Sequence, residues 1–216
     1  MGSREEILAA IRRRQARGGA SPPAVEREQL RSYLRAHPRG PMPQIAVDLA
    51  ARFRAQAEAS ASTCERVAAM SEVPGAVARY LGAMGLPVSG CVWPRLAALD
   101  WKGAGLELEP RAARGEDMLG VTGVFCALAE TGTLAMVSGA DTPASASLLP
   151  ETHVAVVPTA RLVPHMEDAW DLMRAELGQL PRAVNFISGP SRTADIEQSV
   201  VLGAHGPYRV HIVLVG

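Results

Sequence analysis

Short apolar runs, too brief for helices, alternate along this chain with stretches of helical period, and that alternation is its strongest constraint. Residues 88–93, 152–157, 184–187 and 210–215 read as buried strands, with 64–70 as a further short one. Between them, Ile45, Leu49, Phe53 and Ala57 recur at helical spacing, and Pro74, Val77, Leu81 and Met84 do the same ahead of Gly85-Leu86-Pro87. Pro164 opens another helix, with Met166, Ala169, Trp170, Met173 and Leu177 on one face. Parallel strands need long crossovers, so the pattern predicts an α/β fold with a mostly parallel sheet flanked by helices. Such a sheet carries its ligand crevice at the carboxyl ends of its strands.

The first 40 residues stand apart from this pattern. Ser3-x-x-Glu6 makes a capping box for an amphipathic helix over 4–17. Gly18-Gly19-Ala20-Ser21-Pro22-Pro23 then reads as a flexible linker, and 25–36 as a second polar helix before Pro38-Arg39-Gly40-Pro41. Residues 1–40 are therefore expected to be a peripheral helical segment, and 41–216 the α/β domain.

Composition excludes several function classes. Lys+Arg and Asp+Glu number 22 each, so no net field drives the chain onto nucleic acid or an anionic membrane, and 4% aromatic residues leave little for base stacking. No apolar span approaches the roughly 18 residues of a membrane helix, and the first residues carry no apolar signal core. Cys64, Cys91 and Cys126 stand 27 and 35 residues apart, an odd count without the close spacing of iron–sulfur ligands or a disulfide framework. The five histidines make neither a His-x-x-x-His pair nor an HExxH, so no metal site is expected, and His211 reads as a sheet-face residue. Neither GxGxxG nor GxxxxGK[ST] occurs. The expectation is a cytoplasmic protein without a cofactor of its own, without membrane insertion and without nucleic acid as a partner.

Chemistry concentrates in two segments. In Ala129-Glu130-Thr131-Gly132-Thr133, Glu130 is the only formal charge between Asp117 and Asp141, and a carboxylate in apolar surroundings demands a partner. Arg192 or His205 can supply one across the fold, or the amides of Gly132 and Thr133 within the turn. The second segment runs Ser188-Gly189-Pro190-Ser191-Arg192-Thr193-Ala194-Asp195-Ile196-Glu197 and returns through Gly203-Ala204-His205-Gly206-Pro207. Thr193 reads as the N-cap of a helix with Asp195 and Glu197 in its first turn, and the Arg192 fork suits a carboxylate or phosphate at that helix entrance. The loop 138–150 delivers the chain to His153 and suits a binding mouth.

These motifs in this order, with Leu149-Pro150-x-x-His153 between them, resemble the lactate utilization (LUD) domain family, in particular its lactate utilization protein C branch. The resemblance covers 115–216 closely. It implies a fold similar to the ribose-phosphate isomerase and coenzyme A transferase group. It also implies a component of a bacterial system that oxidises L-lactate to pyruvate alongside iron–sulfur partner subunits. On this reading Thr131, Gly132, Thr133, Ser191, Arg192, Thr193, Asp195 and Gly206 line a crevice for a small carboxylate, and Glu130 and His205 handle protons. Two alternatives stay open. Glu130-Thr131-Gly132 is similar to the acid of coenzyme A transferases, which would make the chain a free-standing enzyme; or the chain is a non-catalytic scaffold for the iron–sulfur subunits.

Overall fold

A computed structural model describes residues 3–14, 22–45, 47–193 and 201–216. The chain divides into two units, Met1–Met42 and Pro43–Gly216. The first contains α1 (Ser3–Arg14) and α2 (Ala24–Ala36), neither of which buries a residue. Most of the expected Gly-rich linker lies outside the described residues.

In the second unit the chain runs through α3 (Leu49–Ala59), β1 (Thr63–Val67), α4 (Val73–Met84), β2 (Ser89–Val92), β3 (Glu107–Pro110), β4 (Leu119–Thr122), β5 (Cys126–Leu128) and β6 (Thr133–Val137). It continues through α5 (Ser145–Leu148), β7 (Thr152–Pro158), β8 (Leu162–Val163), α6 (Met166–Leu177), β9 (Val184–Ile187), β10 (Arg192–Thr193), β11 (Val201–Leu202) and β12 (Arg209–Val215). Six strands in the order β1-β12-β7-β4-β2-β3 form one entirely parallel sheet. The α/β architecture read from the sequence is thus the one observed.

Strand alternation divides the core. Val154, Val156, Val213 and Val215 face α4 and pack with Val77 and Leu81, whereas Ala155, Val157, Ile212 and Leu214 face Phe53 and Ala57 of α3. Strands buried on both faces read as continuous apolar runs, which is why 152–157 and 210–215 are legible in the sequence. α3 starts later than its periodicity predicts, because Asp48 caps it by accepting from the Ala51 N–H at 3.0 Å.

A second sheet, β8-β5-β6-β9, is mostly antiparallel and was not expected from the sequence. Its β5–β6 hairpin packs Ala127, Leu134 and Met136 into the α3 side of the core, while α6 covers its other face through Ala169 and Met173. The loop 138–150 is also more built than expected. It contains α5, whose Ala146 is fully buried and seated over Gly120, where a Cβ would lie 2.0 Å from the Ala146 carbonyl oxygen. No described helix is long and apolar enough to cross a membrane.

Candidate functional site

Glu130 sits in the turn between β5 and β6. The turn closes through the Gly132 N–H donating to the Leu128 carbonyl at 2.9 Å, with Gly132 at φ +67°. Its backbone is pinned from two sides: the Glu130 N–H donates to the Pro164 carbonyl at 3.0 Å, and the Arg52 guanidinium of α3 donates to the Glu130 carbonyl at 3.4 Å. That anchoring aims the carboxylate at the start of α6, where Glu130 Oε2 lies 2.8 Å from His165 Nδ1. The pair is sheltered but reachable, with the Glu130 side chain 27% and the His165 side chain 11% exposed.

His165 is the N-cap of α6, and its N–H donates to Asp168 Oδ2 at 3.0 Å. The partner of Glu130 is therefore His165 and neither Arg192 nor His205. A His followed three residues later by an acid is visible in the sequence as a helix start. Nothing local announces that the helix start faces the Glu130 turn, which the β5–β8 pairing alone brings about.

Hydroxyls continue from this pair toward β9. Thr131 Oγ1 and Thr133 Oγ1 are 2.7 Å apart, and Thr133 Oγ1 is 2.7 Å from Ser188 Oγ. Gly132 and Gly189 both abut the last turn of α3: a Cβ would meet Ala57 N at 2.2 Å in the first case and Ser60 O at 2.0 Å in the second. Sequence reasoning thus located the Thr131–Thr133 turn and the Ser188-Gly189 segment but missed Ser188 itself as the link between them.

The second segment gathers elsewhere. Ser191 accepts at its carbonyl from the Gly203 N–H at 2.9 Å, donates its own N–H to the Pro207 carbonyl at 2.9 Å, and takes the His205 N–H on Oγ at 3.3 Å. Gly206 lies against the same residue, 3.3 Å from Ser191 Cβ as judged at its own Cβ position. Ser191, His205 and Gly206 come together at the amino end of β12, apart from the Glu130–His165 pair with which a single crevice was expected. The expected crevice lay at the carboxyl ends, so this group is at the opposite end of the strands.

Arg192 and Thr193 are strand residues paired with Leu202 and Val201. The helix expected after Thr193, with Asp195 and Glu197, falls on residues 194–200, which lie outside the described residues. Arg192 is exposed and lines a cleft of about 240 Å³ with Thr63, Tyr80, Tyr208 and Arg209. Arg209 is held by Glu151 Oε1 at 2.8 Å and lies 4.8 Å over the Tyr208 ring.

The two remaining histidines of interest belong to the core. His153 is fully buried, with Nε2 2.8 Å from Thr122 Oγ1 and Nδ1 without a partner among the described residues; burial alone pushes its pKa down to about 4. His211 is the sheet-face residue expected, with Nδ1 2.8 Å from Thr63 Oγ1 and its pKa likewise pushed down to about 4 by burial. The thiols of Cys64, Cys91 and Cys126 are each pushed up to about 11, again by burial first, which makes them poor nucleophiles. Among the described residues, no group of three His, Cys, Asp or Glu is placed to hold a metal ion.

Comparison with known proteins fits this domain. The chain is 37% identical over 132 residues to lactate utilization protein C of Bacillus subtilis, an alignment covering 56% of this chain and 55% of that protein. It is 42% identical over 100 residues to lactate utilization protein C of Halalkalibacterium halodurans, covering 45% and 44%. The chain spans about half the length of the curated relatives it matches. In fold it is similar to the crystal structure of a DUF162 family protein from Deinococcus radiodurans, at a TM-score of 0.61 and 24% identity over 81% of this chain and 100% of that one. The LUD domain itself matches residues 99–215, a span that includes the Glu130 turn, His165, the Ser188–Thr193 segment and His205, and the chain therefore belongs to the LUD domain family.

Proposed function

We propose that this chain is a component of a bacterial L-lactate utilization system that binds a small organic acid and handles a proton during its oxidation. The observation that carries the reading is the Glu130–His165 contact, 2.8 Å long, in a LUD domain whose relatives bear the name lactate utilization protein C. Oxidation of lactate to pyruvate releases two protons and two electrons. A sheltered carboxylate–imidazole pair suits removal of the hydroxyl proton, since a base positioned by a hydrogen bond needs no reorganisation as it accepts. The imidazole holds the carboxylate in place through the same hydrogen bond. Arg192, in a separate cleft beside Arg209 at the amino ends of the strands, is a second place for a carboxylate, apart from the Glu130–His165 pair.

The Cα–H bond breaks with its proton and both electrons passing to iron–sulfur partner subunits, because three cysteines 27 and 35 residues apart in this chain lack the spacing of cluster ligands. His205 is exposed and meets Ser191 through its backbone N–H, which leaves its imidazole free for a second proton-handling role. Complementation tests the reading: a strain lacking the gene should fail to grow on L-lactate, recover with the wild-type gene and not with Glu130→Gln. Full growth on L-lactate without the gene would reject it.

A further inference from the structure

The six-stranded sheet reverses its winding between β2 and β4. From β2 the chain steps outward to the edge strand β3, and from β4 it steps the other way, through β7 to β12. Open parallel sheets leave a crevice outside the carboxyl ends of the strands at such a reversal. Here it is a cleft of about 640 Å³, within the range of small-molecule sites. Arg95 and Leu96 follow β2, Gly123 and Val124 follow β4, and Arg161 and Glu176 close it from the far side.

Its charge is asymmetric. The Arg161 guanidinium is fully engaged, donating to both Glu176 carboxylate oxygens at 2.8 and 2.9 Å and to the Phe125 carbonyl at 2.7 Å, while lying 4.9 Å over the Phe125 ring. Arg95 is exposed and has no hydrogen-bond or ion-pair partner among the described residues. The net charge of the lining is thus one positive group at the mouth of a mostly apolar crevice. Gly123 lines the cleft between these strand ends, and a Cβ there would make only an ordinary contact with the Trp93 ring, at 3.7 Å.

We infer that this crevice binds an amphipathic monocarboxylate, with the head group on Arg95 and the apolar body along Leu96, Val124 and Gly123. It lies at the carboxyl ends of the strands, whereas the Arg192 cleft lies at the amino ends of β1 and β12, so the two sites are separate. Calorimetric titration with octanoate, and with octanol as the uncharged analogue, tests it. Octanoate should bind the wild-type protein at least tenfold more tightly than octanol, and Arg95→Ala should weaken octanoate by roughly 10- to 100-fold, the usual worth of a charge-assisted hydrogen bond. Leu177→Glu, which sets a second carboxylate in the lining at an exposed helix end, should weaken octanoate at least tenfold. Octanoate that does not bind, binds no better than octanol, or survives both Arg95→Ala and Leu177→Glu would overturn the assignment.

Discussion

His211 lies flat on Tyr80, with ring centroids 3.9 Å apart and planes 6° from parallel. The stack joins β12 to α4 at a point where the imidazole is nearly fully buried, so it is stable only while His211 is neutral. His153 on the neighbouring strand β7 is in the same position.

Acid should therefore unfold this protein early. Both imidazoles have folded pKa values near 4, below the 6.5 of a free histidine, so their contribution is complete above about pH 6.5 and is lost as the pH falls through about 4. For fully buried His153 the loss is on the order of 3 kcal/mol. Asp117, held below the usual carboxylate range first by its hydrogen bonds from Arg111, adds a further loss at still lower pH. Urea melts at pH 7.5 and pH 4.5 should differ by several kcal/mol. Equal midpoints would show that the buried histidines protonate without cost.

Glu130→Gln preserves shape and should fold normally, yet it removes the acceptor of the proton. Loss of lactate-dependent growth with an unchanged melting temperature is the expected outcome. His165→Ala should impair growth less than Glu130→Gln, because the carboxylate keeps its Arg52 and Pro164 backbone anchors.

Arg192→Ala should weaken binding of a small carboxylate such as lactate by roughly 10- to 100-fold without lowering stability, the side chain being exposed. Arg192→Lys should restore only part, since a point charge does not reproduce the fork. Titration of lactate into the three proteins reads this directly. A variant that binds lactate normally but melts lower would make Arg192 a structural residue.

If Glu130 is instead the acyl-accepting acid of a coenzyme A transferase-like enzyme, incubation with an acyl-coenzyme A and then hydroxylamine would leave a hydroxamate on that residue. Intact-mass and peptide analysis should find Glu130 unmodified.

Gly120→Ala tests the packing of α5. The added methyl would press on the Ala146 carbonyl at 2.0 Å and the Pro150 ring at 2.8 Å, and backbone cannot yield as a side chain tip does. A loss of about 2–4 kcal/mol is expected, lowering Tm by several degrees. An unchanged Tm would mean that α5 moves freely over the sheet.

The parallel sheet was legible because β7 and β12 bury both faces and so write uninterrupted apolar runs. β5 and β6 are just as buried, but they are short and joined by a turn, and local pattern does not reveal that they leave the main sheet to start another. The site divides along the same line. Glu130 announced itself as a lone charge in an apolar stretch, whereas His165 and Arg95 are ordinary in sequence and acquire meaning from the strands beside them. Arg192 was visible, but its place at the amino ends of the strands depends on the β10–β11 pairing, a contact with no sequence signature.

The last turn of α3 works as a gauge block for the site. The Glu130 turn and the Ser188–Thr193 segment touch each other through one hydroxyl pair, but each is seated separately on that helix end, through Gly132 on Ala57 and Gly189 on Ser60. Tolerances on the two segments are therefore set by a third element that carries none of the candidate catalytic groups. A single-residue insertion in α3 before Ala57 would turn the seating face by about 100° and displace both segments together. Engineering of this domain has free rein on the solvent side of α3 and almost none over its final four residues.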